Sequence, residues 1–128
     1  MKWFVKRNQL HKEQEKMVKL GLKPGVIGWG TGYVVIPPTH PWHGMPYEDI
    51  PVDAHGGLTF SDIITPEFLK FWDEPILTED DIGHYVIGFD TAHLDDDMIR
   101  WPKEAVELAT QDLAKQVLGR GKEFKHLF

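Results

Sequence analysis

Residues 84–90 alternate in the manner of a strand buried in a sheet. Tyr85, Ile87 and Phe89 fall on one side by the period-2 rule, and the residues between them fall on the other. The stretch ends in a carboxylate, and His93 follows three residues later. A rigid strand that delivers a carboxylate and an imidazole is a common support for polar chemistry. We therefore expect a sheet with a candidate site where this strand ends.

Two further stretches have the pattern of strands. Val26–Ile36 finishes in Tyr and β-branched residues, and two prolines stop it. Ala54–Phe60 contains the pair Gly56 and Gly57, which weakens a strand and is tolerated where another group approaches the backbone. Near the N-terminus, the segment Trp3–Val5 is compatible with a short arm or with the start of a helix.

Three stretches predict helices. Asn8–Leu20 carries a thin apolar stripe, which indicates a helix that is half exposed. Thr65 followed by Pro66 has the form of a capped helix start. Residues 102–118 carry the clearest stripe, with apolar side chains at a spacing of 3.6, and Gly119 is expected to end this helix.

These elements predict one α+β domain over residues 1–128: a small antiparallel sheet of about three or more strands, packed with an N-terminal and a C-terminal helix. Apolar residues make up 41% of the chain, which is enough for a hydrophobic core without stabilising disulfides or structural metal ions. The absence of cysteine excludes disulfides and thiolate metal ligands. No apolar run reaches the ~20 residues of a membrane helix, and the N-terminus lacks the apolar region of a signal peptide. We therefore expect a cytoplasmic protein without a membrane partner.

The charge distribution limits the partners. The net charge of −6 argues against general nucleic-acid binding, which needs a basic face. Basic residues nevertheless gather near both ends, and a local basic patch would form if the terminal segments pack together. These residues are Lys2, Lys6, Arg7, Lys12, Lys16, Lys19, Lys115, Arg120, Lys122 and Lys125.

Strand direction suggests where the polar residues meet. If the three predicted strands run up, down and up in one antiparallel sheet, three points share an edge: the end of the first strand, the start of the second and the end of the third. Those points carry His40 and His43, then His55, then Asp90 and His93. Neighbouring strands lie ~4.8 Å apart, so these side chains would be within reach of one another.

The candidate ligand-binding residues follow from this convergence. They are His40, His55, Gly56, Gly57, Asp90 and His93. The candidate metal ligands are His55, Asp90 and His93, with Asp96 as a weaker fourth. Imidazole and carboxylate suit divalent ions such as Zn²⁺ or Mn²⁺, and also Fe²⁺ or Ni²⁺. Each residue also has a purely structural explanation, such as an Asx-turn at Asp90.

Three segments resemble a family of small phage and prophage proteins. Residues 32–44 resemble the motif GYV-x-(V/I)P-x-x-HP-x-x-G, residues 55–60 resemble VHGGLT(Y/F), and residues 85–93 resemble (W/I)GFD-x-AH. The motifs map onto His40, His55, Asp90 and His93, and the family's following Gly-Asp has lost its glycine here. The resemblance implies a phage or prophage setting and a host-cell cytoplasm, but no particular chemistry.

Three functions are open at this point, of which we favour the first and place the second next. The first is binding of a small anionic or nucleotide-like ligand in a His/Asp pocket, with counteraction of a host defence as the role that the phage resemblance implies. The second is a metal-dependent hydrolase that uses the same cluster. The third is an acidic interaction protein that blocks a host enzyme. The partner is thus a small molecule or a host protein, and the pattern leaves homo-oligomers open.

Overall fold

The computed structural model describes residues 1–8, 20, 27–93, 96 and 98–126, with the backbone alone over 120–126. The helix predicted over Asn8–Leu20 lies outside these residues except at its two ends. Asn8 follows a strand, and its side-chain amide donates to the Gly28 carbonyl at 3.0 Å.

The described residues form an antiparallel sheet with two α-helices, which confirms the predicted α+β class. In chain order the elements are β1 (Trp3–Arg7), β2 (Gly30–Ile36), a 3₁₀ turn (Tyr47–Asp49), β3 (Phe60–Ile63), α1 (Pro66–Trp72), a second 3₁₀ turn (Glu79–Asp81), β4 (Tyr85–Phe89) and α2 (Lys103–His126). None of the helices in this part of the chain combines the length and the hydropathy that a membrane span needs.

The strand order is β1-β2-β4-β3, and all neighbours are antiparallel. β2 and β3 therefore run in the same direction on either side of β4, so the predicted up, down, up order is wrong. Gly32 pairs with Phe89, and Ile36 pairs with Tyr85. The end of β4 thus lies beside the starts of β2 and β3, and we call this the site end of the sheet. The end of β2 lies at the opposite end.

Three predicted boundaries differ from the structure. The strand expected over Ala54–Phe60 runs from Phe60 to Ile63 instead, because Gly56 and Gly57 have φ angles of +69° and +81° and form a turn. The first predicted strand begins only at Gly30. The segment Trp3–Arg7, whose start was expected to form an arm or a helix start, is a strand that pairs with β2.

The sheet has a core on each face. The face under α2 buries Val34, Ile36, Ile87 and Phe89 of the sheet against Val106, Leu113 and Val117 of the helix. The other face buries Phe4, Val35 and Val86 against Ile64, Phe68 and Leu77, on the side of α1. The alternation predicted for β4 is confirmed, because its odd positions face α2 and Val86 faces α1.

The two helices bear out most of their sequence signals. Thr65 caps α1 by accepting a hydrogen bond from the Phe68 N–H at 3.1 Å, and Pro66 is the first helical residue. α2 presents the expected apolar stripe to the sheet. It does not end at Gly119, however, but continues to His126. Each of the two glycines in this helix, Gly119 and Gly121, costs only about 1 kcal/mol, which a long helix tolerates.

Gly32 allows α2 to lie close to the sheet. A Cβ atom at this position would be 2.0 Å from Thr110 Oγ1 and 2.6 Å from the Phe89 ring. We expect Gly32→Ala to lower the free energy of unfolding by about 2 kcal/mol through overpacking. Gly119→Ala is the matched control, because open space surrounds a Cβ there and alanine favours the helix by about 0.5–1 kcal/mol. Urea denaturation of both variants measures the contrast, and equal effects would contradict this role for Gly32.

Candidate functional site

Four of the predicted site residues lie together at the site end of the sheet. His55 sits in the turn before β3, and Asp90, His93 and Asp96 follow the end of β4. The centroids of the two imidazole rings are 5.3 Å apart, with the ring planes nearly perpendicular. The sheet thus brings together side chains that are about 40 positions apart in the chain.

Asp96 is the centre of this cluster. It is 2% exposed, and its two carboxylate oxygens accept hydrogen bonds from different histidines. His55 Nε2 donates to Oδ1 at 2.6 Å, and His93 Nδ1 donates to Oδ2 at 2.9 Å. The backbone N–H of His93 also donates to Oδ2, at 2.8 Å. A single buried carboxylate therefore orients both imidazoles.

The electrostatics favour the ionised form of Asp96. Burial acts to raise the pKa of this carboxyl, but the hydrogen bonds from His93 and His55 outweigh it, so that the pKa lies below its usual range. The site consequently holds a buried negative charge at neutral pH, and both histidines donate hydrogen bonds to it.

Trp101 supports the ring of His55. The two ring centroids are 4.1 Å apart and the planes are inclined by 35°. The side chains of His55 and His93 remain 29% and 37% exposed. The imidazoles are therefore fixed on one side by Asp96 and Trp101 and are still open to solvent on the other.

Gly56 makes room for His93. A Cβ atom at Gly56 would lie 2.4 Å from His93 Cε1, so only glycine allows the ring to approach this backbone. The expectation that another group approaches the glycine pair is thus met by a side chain of the protein itself. The N–H of Gly57, a candidate ligand-binding residue, donates to the Ala54 carbonyl at 2.9 Å within the turn and therefore already has an acceptor.

Asp90 lies beside the cluster rather than within it. Its Oδ1 accepts a hydrogen bond from the Ala92 N–H at 3.0 Å, which is the Asx-turn considered from the sequence. The same oxygen is 3.5 Å from His93 Nδ1. Among the described residues, the group that offers ligand atoms within 4.8 Å of one another is His55, His93 and Asp96. Asp96 therefore takes the place in the ligand set that we expected for Asp90.

His40 and His43 do not belong to this site, contrary to the prediction, because the end of β2 lies at the opposite end of the sheet. His40 is buried, and its Nδ1 accepts the Trp42 N–H at 3.0 Å. Its Nε2 therefore carries the proton and donates to the Val117 carbonyl at 2.7 Å. Burial lowers the pKa of His40, although the bond to Val117 opposes this, and the neutral ring joins its loop to α2.

From the sequence, Asp96 ranked below Asp90 as a metal ligand, although it is the centre of the cluster. The sequence feature that indicates its role is the spacing His-x-x-Asp. The Asp96 N–H donates to the His93 carbonyl, and the Asp96 carboxylate accepts a hydrogen bond from the His93 N–H. That closed turn places an acid beside an imidazole of the same segment. Trp101, which was not among the candidate site residues, supports His55. The neighbouring Asp95 and Asp97 lie outside the described residues.

Comparisons with models of protein families, with curated proteins and with solved structures find no match for this chain.

Proposed function

We propose that this protein is a metal-dependent hydrolase whose divalent ion is held by His55, His93 and Asp96. The observation that carries the proposal is the buried, ionised Asp96, which faces one nitrogen of each of two half-exposed imidazoles. A divalent ion at this point would replace the two ring protons that the carboxylate now accepts. Two histidines and one carboxylate form a set used by mononuclear sites that keep open positions for water and substrate.

The surroundings of the three ligands fit catalysis better than a closed structural site. A bound ion would activate a water molecule and polarise the substrate. Asp90, 3.5 Å from His93 Nδ1 and partly exposed, is placed to accept a proton as general base. Hydrolysis forms a bond from the water oxygen to phosphorus or acyl carbon and breaks the ester bond. The proton passes through Asp90 to the leaving oxygen.

Direct binding of an anionic ligand by the histidines is less well supported. The carboxylates of Asp90 and Asp96 both lie within 3.5 Å of His93 Nδ1 and would repel an anion at this site. A divalent ion reverses this repulsion, so the metal accounts for anion binding as well.

In the phage setting that the motifs imply, we propose an accessory role against a host defence.

Titration of the full chain with Zn²⁺ and Mn²⁺ after removal of metal tests the ligand set. We expect one ion per chain, a higher melting temperature, and an affinity at least about 100-fold lower in His55→Ala, because ligand loss exceeds the 10–100-fold effect of outer partners. His43→Ala is the matched control, since this histidine bonds the Gly83 carbonyl away from the site. Equal affinities in the two variants would refute the ligand set.

Turnover separates a hydrolase from a binding protein. The metal-loaded protein is expected to hydrolyse a chromogenic phosphodiester or ester, and Asp90→Asn is expected to lower kcat about 100-fold while metal affinity changes little. Metal binding without turnover of any of these substrates would refute the hydrolase and leave the metal site in place.

A further inference from the structure

A depression that is largely open to solvent, which we call the cavity, lies on the α1 face of the sheet, near the site end. Its volume is about 390 Å³, the size of a small-molecule pocket. Its lining combines basic, aromatic and hydroxyl side chains, among them Lys6, Arg7, Thr31, Tyr33, Phe71 and Trp72. This mixture differs from the His/Asp cluster and is suited to a ligand that carries both an aromatic ring and a negative charge.

The aromatic side of the cavity offers a surface for stacking. Phe71 is 88% exposed, although a side chain of this size is usually covered. Trp72, next to it, is held by a stacked contact with Phe68 at 4.5 Å between ring centroids. A flat ligand placed on Phe71 would cover apolar surface that now faces water, which is the contact that nucleobases make with exposed aromatic residues.

The charged side of the cavity is positive in a chain of net charge −6. The ammonium of Lys6 lies 5.0 Å from the centroid of the Trp72 ring and donates to the Trp72 carbonyl at 2.9 Å. This bond uses one of its three N–H groups, so a phosphate oxygen would find further donors there. Arg7 adds a second cation to the same lining.

The cavity and the proposed metal site are neighbours on the sheet. Lys6 pairs with Thr31 across β1 and β2. The register of β2 and β4 ends at the pair Gly32–Phe89, and Thr31 and Asp90 are the next residues of the two segments, so continuing the register would bring them opposite each other. Strands are ~4.8 Å apart, so Lys6, Thr31 and Asp90 form a row about 10 Å long. Asp90 in turn lies 3.5 Å from His93.

The negative charge of Asp90 acts on Tyr33, which lines the cavity. Burial raises the pKa of the Tyr33 hydroxyl, its hydrogen bond with Thr31 lowers it, and the negative charge of Asp90 adds to the rise. A lining residue of the cavity thus shares its electrostatic environment with a residue of the proposed site.

We infer that this cavity binds the substrate, and that the substrate is a nucleoside phosphate. The base stacks on Phe71 beside Trp72, one phosphate lies near Lys6 and Arg7, and a further phosphate group extends past Thr31 to Asp90. This inference rests on the proposed function for its catalytic part, whereas the binding of the ligand can be tested without metal.

Calorimetric titration with AMP, GMP, CMP and UMP tests the cavity, in protein with and without Zn²⁺. We expect binding of these nucleotides, with the affinity about 10-fold lower in Phe71→Ala, because the variant removes the aromatic surface on which the base stacks. Adenosine and ribose 5-phosphate, each lacking one half of the ligand, are expected to bind more weakly than AMP. Leu108→Ala, at another exposed apolar residue, is the control and should have no effect.

The outcomes separate this inference from the proposed function. If Zn²⁺ binds to the three ligands but none of the four nucleotides binds, or Phe71→Ala leaves their affinity unchanged, the inference is overturned and the metal site stands. If nucleotides bind in a Phe71-dependent way and no metal binds, the cavity is supported and the proposed hydrolase fails. Ribose 5-phosphate binding as tightly as AMP would also overturn the inference, because the ring would then contribute nothing.

Discussion

Replacing Asp96 with asparagine is expected to lower the affinity for Zn²⁺ by at least about 100-fold while the fold persists. The amide has the shape of the carboxylate, so its oxygen can still accept from the His93 N–H, but it brings no negative charge to a cation. Asp96→Ala should also lower the free energy of unfolding, by about 2 kcal/mol, because it removes the acceptor of three hydrogen bonds, from His55 Nε2, His93 Nδ1 and the His93 N–H. Metal titration and urea denaturation measure the two effects separately.

The pH dependence of stability gives a second measure of the same carboxylate. Because the pKa of Asp96 is lower in the folded than in the unfolded chain, its stabilising contribution is complete above pH of about 4 and is lost as the pH falls through the folded value. In metal-free protein, the stability advantage of wild type over Asp96→Asn should therefore shrink in acid. Burial acts to raise the pKa of Asp81, but hydrogen bonds from Lys2 and Thr78 lower it below its usual range. Asp81 is present in both wild type and Asp96→Asn, so its effect on stability cancels in the comparison. An advantage that is the same at pH 7 and pH 3 would contradict the account.

Gly56→Ala is expected to lower metal affinity by about 100-fold, although Gly56 supplies no ligand. The new methyl group would overlap the His93 ring and push it away from Asp96. The variant should also lose about 1–2 kcal/mol of stability, because alanine is strained at a φ of +69°. Calorimetric titration with Zn²⁺ measures the first effect, and urea denaturation measures the second.

Gly57→Ala separates backbone strain from displacement of the ring. Gly57 has a φ of +81°, and a Cβ atom there meets nothing within 4 Å. This variant should therefore show the same loss of stability with nearly unchanged metal affinity. If both glycine variants lose metal equally, the shape of the turn, rather than the room for His93, determines the site.

The fold was predictable where a local pattern decides the structure. The alternation of β4 and the stripe of α2 depend on neighbouring residues, and both are present as expected. The order of the strands depends on connections that no local pattern records. β3 runs parallel to β2 because β4 is inserted between them, and this reversed the expected position of His40.

The candidate site was predictable in part for the same reason. His55 and His93 were linked through the glycine pair and the end of a strand, both of which are visible in the sequence. Asp96 could not be ranked above Asp90, because its role depends on a turn that closes back on His93. The support of His55 by Trp101 depends on a contact across 46 positions, which residue spacing does not reveal.

The most direct test of the central claim is anomalous diffraction at the zinc edge from crystals of the full chain grown with one equivalent of Zn²⁺. We expect one strong peak, about 2.0–2.2 Å from His55 Nε2, His93 Nδ1 and a carboxylate oxygen of Asp96. The account is contradicted if the three side chains remain hydrogen-bonded to one another and the zinc peak lies elsewhere or is absent.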